Sequence, residues 1–440
     1  MLPVLYSATT ARKLILLALI FPMLTHAGAS GFQIVGPILN GEVSWTNAFN
    51  SGVCTVEVAS QLRGAGGTTW TPLQNYFTTN SAGSGFFSPL PSDSFYRLRA
   101  VDIPSNTPLA FTNLVQSYGF LHTIAGNGLD SGKDDVNFWN SAFEGIYATN
   151  VTLSRPHFAM ADDAGNVFIA DKNSESVLKV TTDGRLHTVA GTHAAGNGID
   201  TPALGTSIAL SVPNGLWVRG DGTVYILDTG NSKVRRLGAN GMITTLFTDP
   251  NGISNGRGLW VKDDESLIYY SSEHNLMQWT PGAGASVLNS QFNDLGNLIV
   301  SGNSIVATDR DDNTVWTVTT NKGKRTLMFG DGGTNLVADD TFAATNSLYD
   351  VRGVWQPPIG GYFLATDAGA QLLYVDTSGI IHVLVNGNGN DHSGDGQWFY
   401  TPGYKFGQLR SVSMDNKGNL LIVENDLGFV RRIDFQRLHP

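Results

Sequence analysis

The sequence predicts an all-β fold: a six-bladed β-propeller closed by an N-terminal strand and preceded by a small β-sandwich domain. Three observations predict it. The first is composition. The 37 acidic residues divide into 30 Asp and 7 Glu, Lys numbers only 10, and Gly reaches 51. Asp and Gly favour turns, whereas Glu and Lys favour helix surfaces. Helical bundles and ordinary α/β enzymes are therefore excluded. Only 15% of the 440 residues are charged, against about 25% usually, and 41% hydrophobic content argues against disorder. The second observation is a strand–turn–strand unit that recurs six times. The third is that the last copy lacks its fourth strand, while a spare strand lies upstream of the first copy.

In chain order, residues 1–29 read as a secretory signal peptide. Arg12 and Lys13 precede the apolar run Leu14 to Leu24, and Ala27-Gly28-Ala29 supplies a small-x-small cleavage pattern. The run is shorter than the ~20 residues a membrane helix needs. A secreted, periplasmic or cell-envelope protein without a membrane span is expected. Cys54 is the sole cysteine, which rules out an internal disulfide, a zinc finger or a redox pair. Residues 31–105 are expected to form the sandwich, with strands at Glu42 to Trp45, Thr55 to Ala59, Phe86 to Phe87 and Phe95 to Val101. Residues 106–116 read as a linker, and 117–440 as the propeller.

The clearest repeat runs Val212-Pro213-Asn214-Gly215-Leu216-Trp217-Val218, the turn Asp221-Gly222, Thr223 to Leu227, Asp228, and then Val234-Arg235-Arg236. The position ending strand two falls at Asp171, Asp228, Ser271, Asp309, Asp367 and Glu424, and six residues later stand Val177, Val234, Met277, Val315, Leu373 and Val430. Asp183-Gly184, Asn240-Gly241, Lys322-Gly323 and Ser378-Gly379 are hairpin turns between strands three and four. The spare strand, Phe120 to Gly126, mirrors Arg185 to Gly191, so it should complete blade six and remove an open sheet edge.

These residues resemble the NHL-repeat β-propellers, chiefly through Val212-Pro213-Asn214-Gly215-Leu216, Tyr225 to Ser232 and His187-Thr188-Val189-Ala190-Gly191. Phe95 to Asp102 resembles the last strand of a fibronectin type III module. Among six-bladed relatives the peptidylglycine amidating lyases also resemble the repeat. That resemblance implies metal-binding histidines after the repeat's proline, but only Pro156-His157 fits, and a catalytic zinc needs three ligands.

Function is expected on the face that carries the connections between blades. Four of these are long: 127–152, 192–209, 330–347 and 386–405. They predict a crown whose aromatics, Trp139, Phe143, Trp398, Phe399, Tyr400 and Tyr404, bind a protein or glycan. The alternative is that these rings pack the loops onto the ring. At the central mouth, alignment of the first strands places His157, Asn214, Arg257, Gly296, Arg352 and Arg410 at one level. Arg forks there suit a carboxylate or sulfate; the competing reading pairs each Arg with a neighbouring acid as a structural clasp. Asn388, Asn390, Asp391 and Asp395 offer oxygen ligands that suit Ca²⁺, without the Glu that closes an EF-hand loop; a solvated loop is the default, and no other cofactor is expected. The string Gly252 to Gly256 matches a nucleophile elbow but lacks the strand–turn–helix setting. Residues 106–440 carry 22 basic and 33 acidic side chains, which disfavours nucleic acid. The reading is an exported binding or scaffold protein, expected to be a monomer. The alternative is a propeller lyase or hydrolase with a non-zinc site at the mouth, acting on an anionic or sugar substrate.

Overall fold

The computed structural model describes residues 15–16, 32–35, 41–63, 67–90, 94–104, 107–129 and 135–436. The expected leader lies outside these apart from Ile15–Leu16. No helix among the described residues is long and apolar enough to cross a membrane.

Six antiparallel sheets follow one another along the chain. Sheet 1 comprises Pro156–Ala161, Val167–Asp171, Ser176–Val180 and Leu186–Ala190. Sheet 2 comprises Pro213–Val218, Val224–Asp228, Lys233–Leu237 and Met242–Thr248. Sheet 3 comprises Leu259–Val261, Ile268–Ser272, Asn275–Thr280 and Gly284–Asn289. Sheet 4 comprises Leu295–Ser301, Ser304–Asp309, Thr314–Thr319 and Arg325–Phe329. Sheet 5 comprises Val351–Trp355, Tyr362–Thr366, Gln371–Val375 and Ile380–Gly389. Sheet 6 takes Leu409–Met414, Leu420–Glu424 and Phe429–Ile433 from the end of the chain. Its outer strand is Leu121–Ala125, in the register Arg431↔Thr123 and Ile433↔Leu121. The first strand of each sheet packs on that of the next, and that of sheet 6 on that of sheet 1. Such an array of antiparallel sheets is that of an all-β, propeller-like fold.

The acid at the end of strand two anchors four of the repeats. Its carboxylate accepts from the backbone N–H groups that lead into strand one: Ser154 to Asp171 at 3.0 Å, Ser211 to Asp228 at 2.7 Å, Asp294 to Asp309 at 3.0 Å and Gly407 to Glu424 at 2.7 Å. Ser271 does the same work in sheet 3, where its hydroxyl accepts from Arg257 and Gly258 N–H at 2.8 Å each. Not all of these acids reach the mouth arginines. Asp228 and Glu424 instead pair with Arg235 and Arg431 of the neighbouring strand, at 2.6 and 2.8 Å with every partner fully buried.

Near the N-terminus, Gly52–Ala59 lies between Thr71–Thr78 and Phe95–Asp102, and a second sheet joins Gln33–Ile34, Glu42–Thr46 and Gly83–Phe86. Val43, Trp45, Cys54, Val56, Tyr96 and Leu98 form the core between them. The expected linker, 106–116, is instead a helix, Pro108–Ser117, whose first turn is capped by the Thr107 hydroxyl accepting from Ala110 N–H. Proline at the start and the apolar set Ala110, Leu114 and Val115, all buried, explain it. This helix seals the junction. One core cluster runs from Val53 and Ile103 through Leu114, Val115 and Tyr118 to Phe363, Phe399 and Phe435. Phe77 stacks on Phe435 with 4.1 Å between ring centroids.

Candidate functional site at the mouth between the first strands

The long connections do not stand up as a crown. Each runs down the outer strand of the sheet it leads into. Tyr147 bridges Arg185, Leu204 pairs with Met242, Phe342 with Ile380, and Trp398 bridges Phe120. The next residue, Ala148, Gly205, Ala343 or Phe399, donates its N–H to the carbonyl of Gly184, Gly241, Gly379 or Gly119. Three of these four residues also accept, through their carbonyls, from Gly126, Gly191 and Gly330, which end the outer strand of the preceding sheet. The loops are therefore latches between neighbouring sheets. A Cβ at Gly205 would lie 2.2 Å from the Val189 carbonyl, so this latch position demands a small residue.

The aromatic candidates follow that geometry. Phe399 is 1% exposed, and Trp398 and Tyr400 pack with it under the N-terminal helix, near Tyr118 and Phe111. The Trp398 indole donates to the Tyr118 carbonyl at 3.2 Å. Trp139 stacks on His193 at 3.7 Å, Phe143 meets it edge-on, and both pack on the core shared by sheets 1 and 6. Only Tyr404, at 58% exposure, keeps an open ring among the six. The loop-packing alternative thus describes the other five. The residues expected to offer Ca²⁺ ligands are engaged with one another and with Arg431. Asn388 turns its amide N–H toward Asp391 and accepts with Oδ1 from Asn390 and Asp391 N–H, while Asp395 pairs with Arg431 at 2.8 Å. Asn390 sits in the same turn. Among the described residues the one convergent group of metal-ligating type is Asp339, Asp340 and His382. His382 is stacked on Phe111 at 3.9 Å and bonded through Nδ1 to Asp340 at 2.8 Å.

The mouth does assemble. His157, Asn214, Arg257, Arg352 and Arg410 line one pocket with Phe158 and Asn297. Asn297 takes the place expected of Gly296. Each residue sits at the start of a first strand, and four are delivered by a left-handed residue two positions earlier: Arg155 (φ 64°), Val212 (φ 53°), Asn255 (φ 50°) and Asp350 (φ 54°). That conformation is costly for a β-branched residue such as Val212. Strain repeated around one pocket marks a place where side-chain direction matters more than local comfort.

Charge at the pocket is nearly balanced. Arg352 forks onto Asp350 at 2.8 and 2.5 Å. Arg257 meets Asp294 at 3.1 Å, and Arg310 shares that carboxylate. Arg410 donates to Asn425 at 2.6 Å. Asp367 lies 3.4 Å from Arg352 and 3.5 Å from Arg410, yet burial, with Asp350 and Asp426 nearby, pushes its carboxyl up to about 7. Burial and then Arg310 bring Arg257 down to about 10. His157 is held well below its ordinary value by burial, with Arg257 adding to the effect, so its ring is neutral.

The pocket's polar wall is incompletely used. Both nitrogens of His157, Asn214 Oδ1, Asn297 Nδ2, Arg257 Nε and Arg410 Nε are buried without a hydrogen-bond partner among the described residues. Leaving one such group bare costs about 1–3 kcal/mol. The free space is ≈ 10 Å³, about the size of one water site. His157 is the only histidine lining the pocket, and guanidinium groups occupy the positions a zinc triad would need.

No family model matches the chain, and no curated protein matches it. Solved structures do. A protein of unknown function from Bacteroides thetaiotaomicron superposes with TM-score 0.54 at 13% identity, covering 93% of this chain and 99% of its own. An auxiliary nutrient binding protein from Bacteroides ovatus gives 0.55 at 11% identity, covering 89% and 93%. A streptogramin B lyase gives 0.45 at 13% identity, covering 66% and 95%. At these identities the likeness concerns the fold.

Proposed function

We propose that this chain is an exported binding module: a six-bladed propeller closed by Leu121–Ala125, with the sandwich of residues 31–105 docked on it. Its mouth takes a carboxylate or sulfate group carried by a protein or glycan. The observation that carries this reading is the set of buried, unpartnered polar atoms on His157, Asn214 and Asn297 beside three guanidinium groups. An oxyanion would accept from Arg257 Nε, Arg410 Nε and Asn297 Nδ2, and its remaining hydroxyl or water would donate to Asn214. The fold shared with a nutrient binding protein agrees with a binding role. Catalysis at this site is less well supported. A general base needs a partner that orients it, and neither nitrogen of His157 has one among the described residues.

Calorimetric titration with glucuronate and with sulfate tests the proposal. Binding that is lost in Arg352→Ala/Arg410→Ala and kept in His157→Gln is expected. No heat with either anion, or equal heat in the double variant, overturns it.

A further inference from the structure

The first strands have two ends, and the end away from the mouth is chemically different. Three residues past three of the mouth positions stand Trp217, Trp260 and Trp355, in sheets 2, 3 and 5. Their rings meet: Trp217 lies 6.2 Å from Trp260 and 6.5 Å from Trp355. Beyond them opens a groove of ≈ 490 Å³ lined by Trp217, Val218, Arg219, Gly220, Asp163, Asp221 and Asp263. The acids come from the first hairpin turns of three successive sheets, each contributing one carboxylate to this rim.

We infer that this groove is a second, separate site, and that it binds a neutral saccharide. A volume in the range of small-ligand sites and the Trp217 indole in its wall suit a sugar ring, whose apolar C–H face stacks on an indole. Carboxylates supply the acceptors that sugar hydroxyls need. Asp163 and Asp263 are exposed, and their carboxylates have no hydrogen-bond or ion-pair partner among the described residues. Asp221 is tied to its own turn by accepting from Thr223 N–H at 2.8 Å. Arg219 is engaged elsewhere, with its guanidinium over the Tyr225 ring at 4.8 Å, donating to the Lys262 carbonyl at 2.8 Å and 3.6 Å from Glu265. The groove thus presents negative charge around an apolar plate. That combination rejects the anionic groups the mouth selects, so the two ends would read different parts of a ligand or different ligands.

The test uses the whole protein, its tryptophan emission and calorimetry. Maltoheptaose, cellohexaose and chitohexaose serve as neutral probes, an oligogalacturonate as the anionic probe and a glucosamine hexamer as the cationic one. At least one neutral probe should bind and shift the emission. Asp163→Asn/Asp263→Asn should weaken it by about tenfold, the loss of roughly one charge-assisted hydrogen bond, with no change in melting temperature. Trp217→Ala should abolish binding, and Trp217→Phe, which keeps a ring in the core, should retain part of it. Arg352→Ala/Arg410→Ala should leave it intact, which separates this site from the mouth. Failure of all neutral probes overturns the inference. So does binding only of the glucosamine hexamer, which would be charge attraction alone, and so does unchanged affinity in the double Asp variant.

Discussion

Replacing Arg431 with Met should cost this protein more than any surface change. The guanidinium is fully buried and donates to Glu424 at 2.8 Å, Asp395 at 2.8 Å, the Ser393 carbonyl at 2.7 Å and the Lys405 carbonyl at 3.3 Å. It therefore fastens the connection 386–405 to the sheet whose outer strand comes from the other end of the chain. Arg431→Met fills most of the volume but leaves Glu424 charged and buried with Gly407 N–H and His392 as its remaining partners. Breaking a buried pair in this way costs about 3–5 kcal/mol, a fall in melting temperature of roughly 3–6 °C for a chain of this size. Arg431→Met/Glu424→Gln should recover about half of that loss. The amide carries no charge and its oxygen still accepts from Gly407. Thermal unfolding followed by circular dichroism reads both. A fall of under about 2 °C in the single variant would refute the reasoning, and so would additive losses in the double variant, which requires coupling between the two side chains.

Gly205→Ala should destabilise by about 2 kcal/mol or more, because its Cβ meets a backbone carbonyl at 2.2 Å; Gly241→Ala, with open space but φ 78°, should cost only about 1 kcal/mol, and melting temperatures compare them. Asp367 is raised to about 7 in the fold, so its contribution to stability is full below its unfolded value near 3.8 and is lost as pH rises through about 7. Asp367→Asn should therefore flatten stability between pH 5 and 8, as read by denaturant midpoints at each pH. Cys54 is buried and its thiol is raised far above its ordinary value by burial, so it should resist a thiol reagent in the native protein, whereas Phe435→Ala, which removes the stack on Phe77, should speed labelling. Hydrogen exchange should be faster in Gly284–Asn289 and Arg325–Phe329, where Val287 is 53% and Leu327 46% exposed, than in the latched strand Leu186–Ala190.

The repeat was legible because its spacing is carried by residues that anchor backbone: an acid, a turn glycine and an apolar residue six positions on. The same spacing located five of the six mouth residues. It missed Asn297 for a local reason. Sheet 4 joins its first two strands through a tight turn, Ser301 pairing with Ser304, where sheet 2 pairs Val218 with Val224. Asn297 stands 12 residues before Asp309 where Asn214 stands 14 before Asp228, so alignment of the first strands lands one residue early, on Gly296. The crown failed because loop length and aromatic content do not reveal which way a loop runs. Backbone pairing decided it, and the signal was present in another form. Ala148, Gly205 and Ala343, each buried at the sheet junction, are followed five residues later by the buried Leu153, Leu210 and Leu348. A small residue with a leucine at that offset is a latch, and it stands in three of the four long connections. The linker was misread because polar residues and Pro108 hid a short amphipathic pattern whose apolar face is visible only against a partner.

Latching also bears on how the mouth would admit a ligand. Sheets 1, 2, 5 and 6 receive a latch, and they carry His157, Asn214, Arg352 and Arg410. Sheets 3 and 4 are reached by the short connections 248–256 and 289–294, and among the described residues no connection pairs along their outer strands, although Gly330, at the end of sheet 4's outer strand, donates to the Ala343 carbonyl. They carry Arg257 and Asn297. With ≈ 10 Å³ free, an oxyanion can seat only if a side chain withdraws. Arg352 is forked onto Asp350 and Arg410 is bonded to Asn425. Arg257 is held by one carboxylate that Arg310 already shares and by the Asn255 carbonyl at 3.1 Å. Its swing leaves Asp294 still neutralised by Arg310. On the proposed reading, the half of the mouth that opens is the half whose outer strands no connection pairs along, and the other half keeps its guanidinium groups aimed.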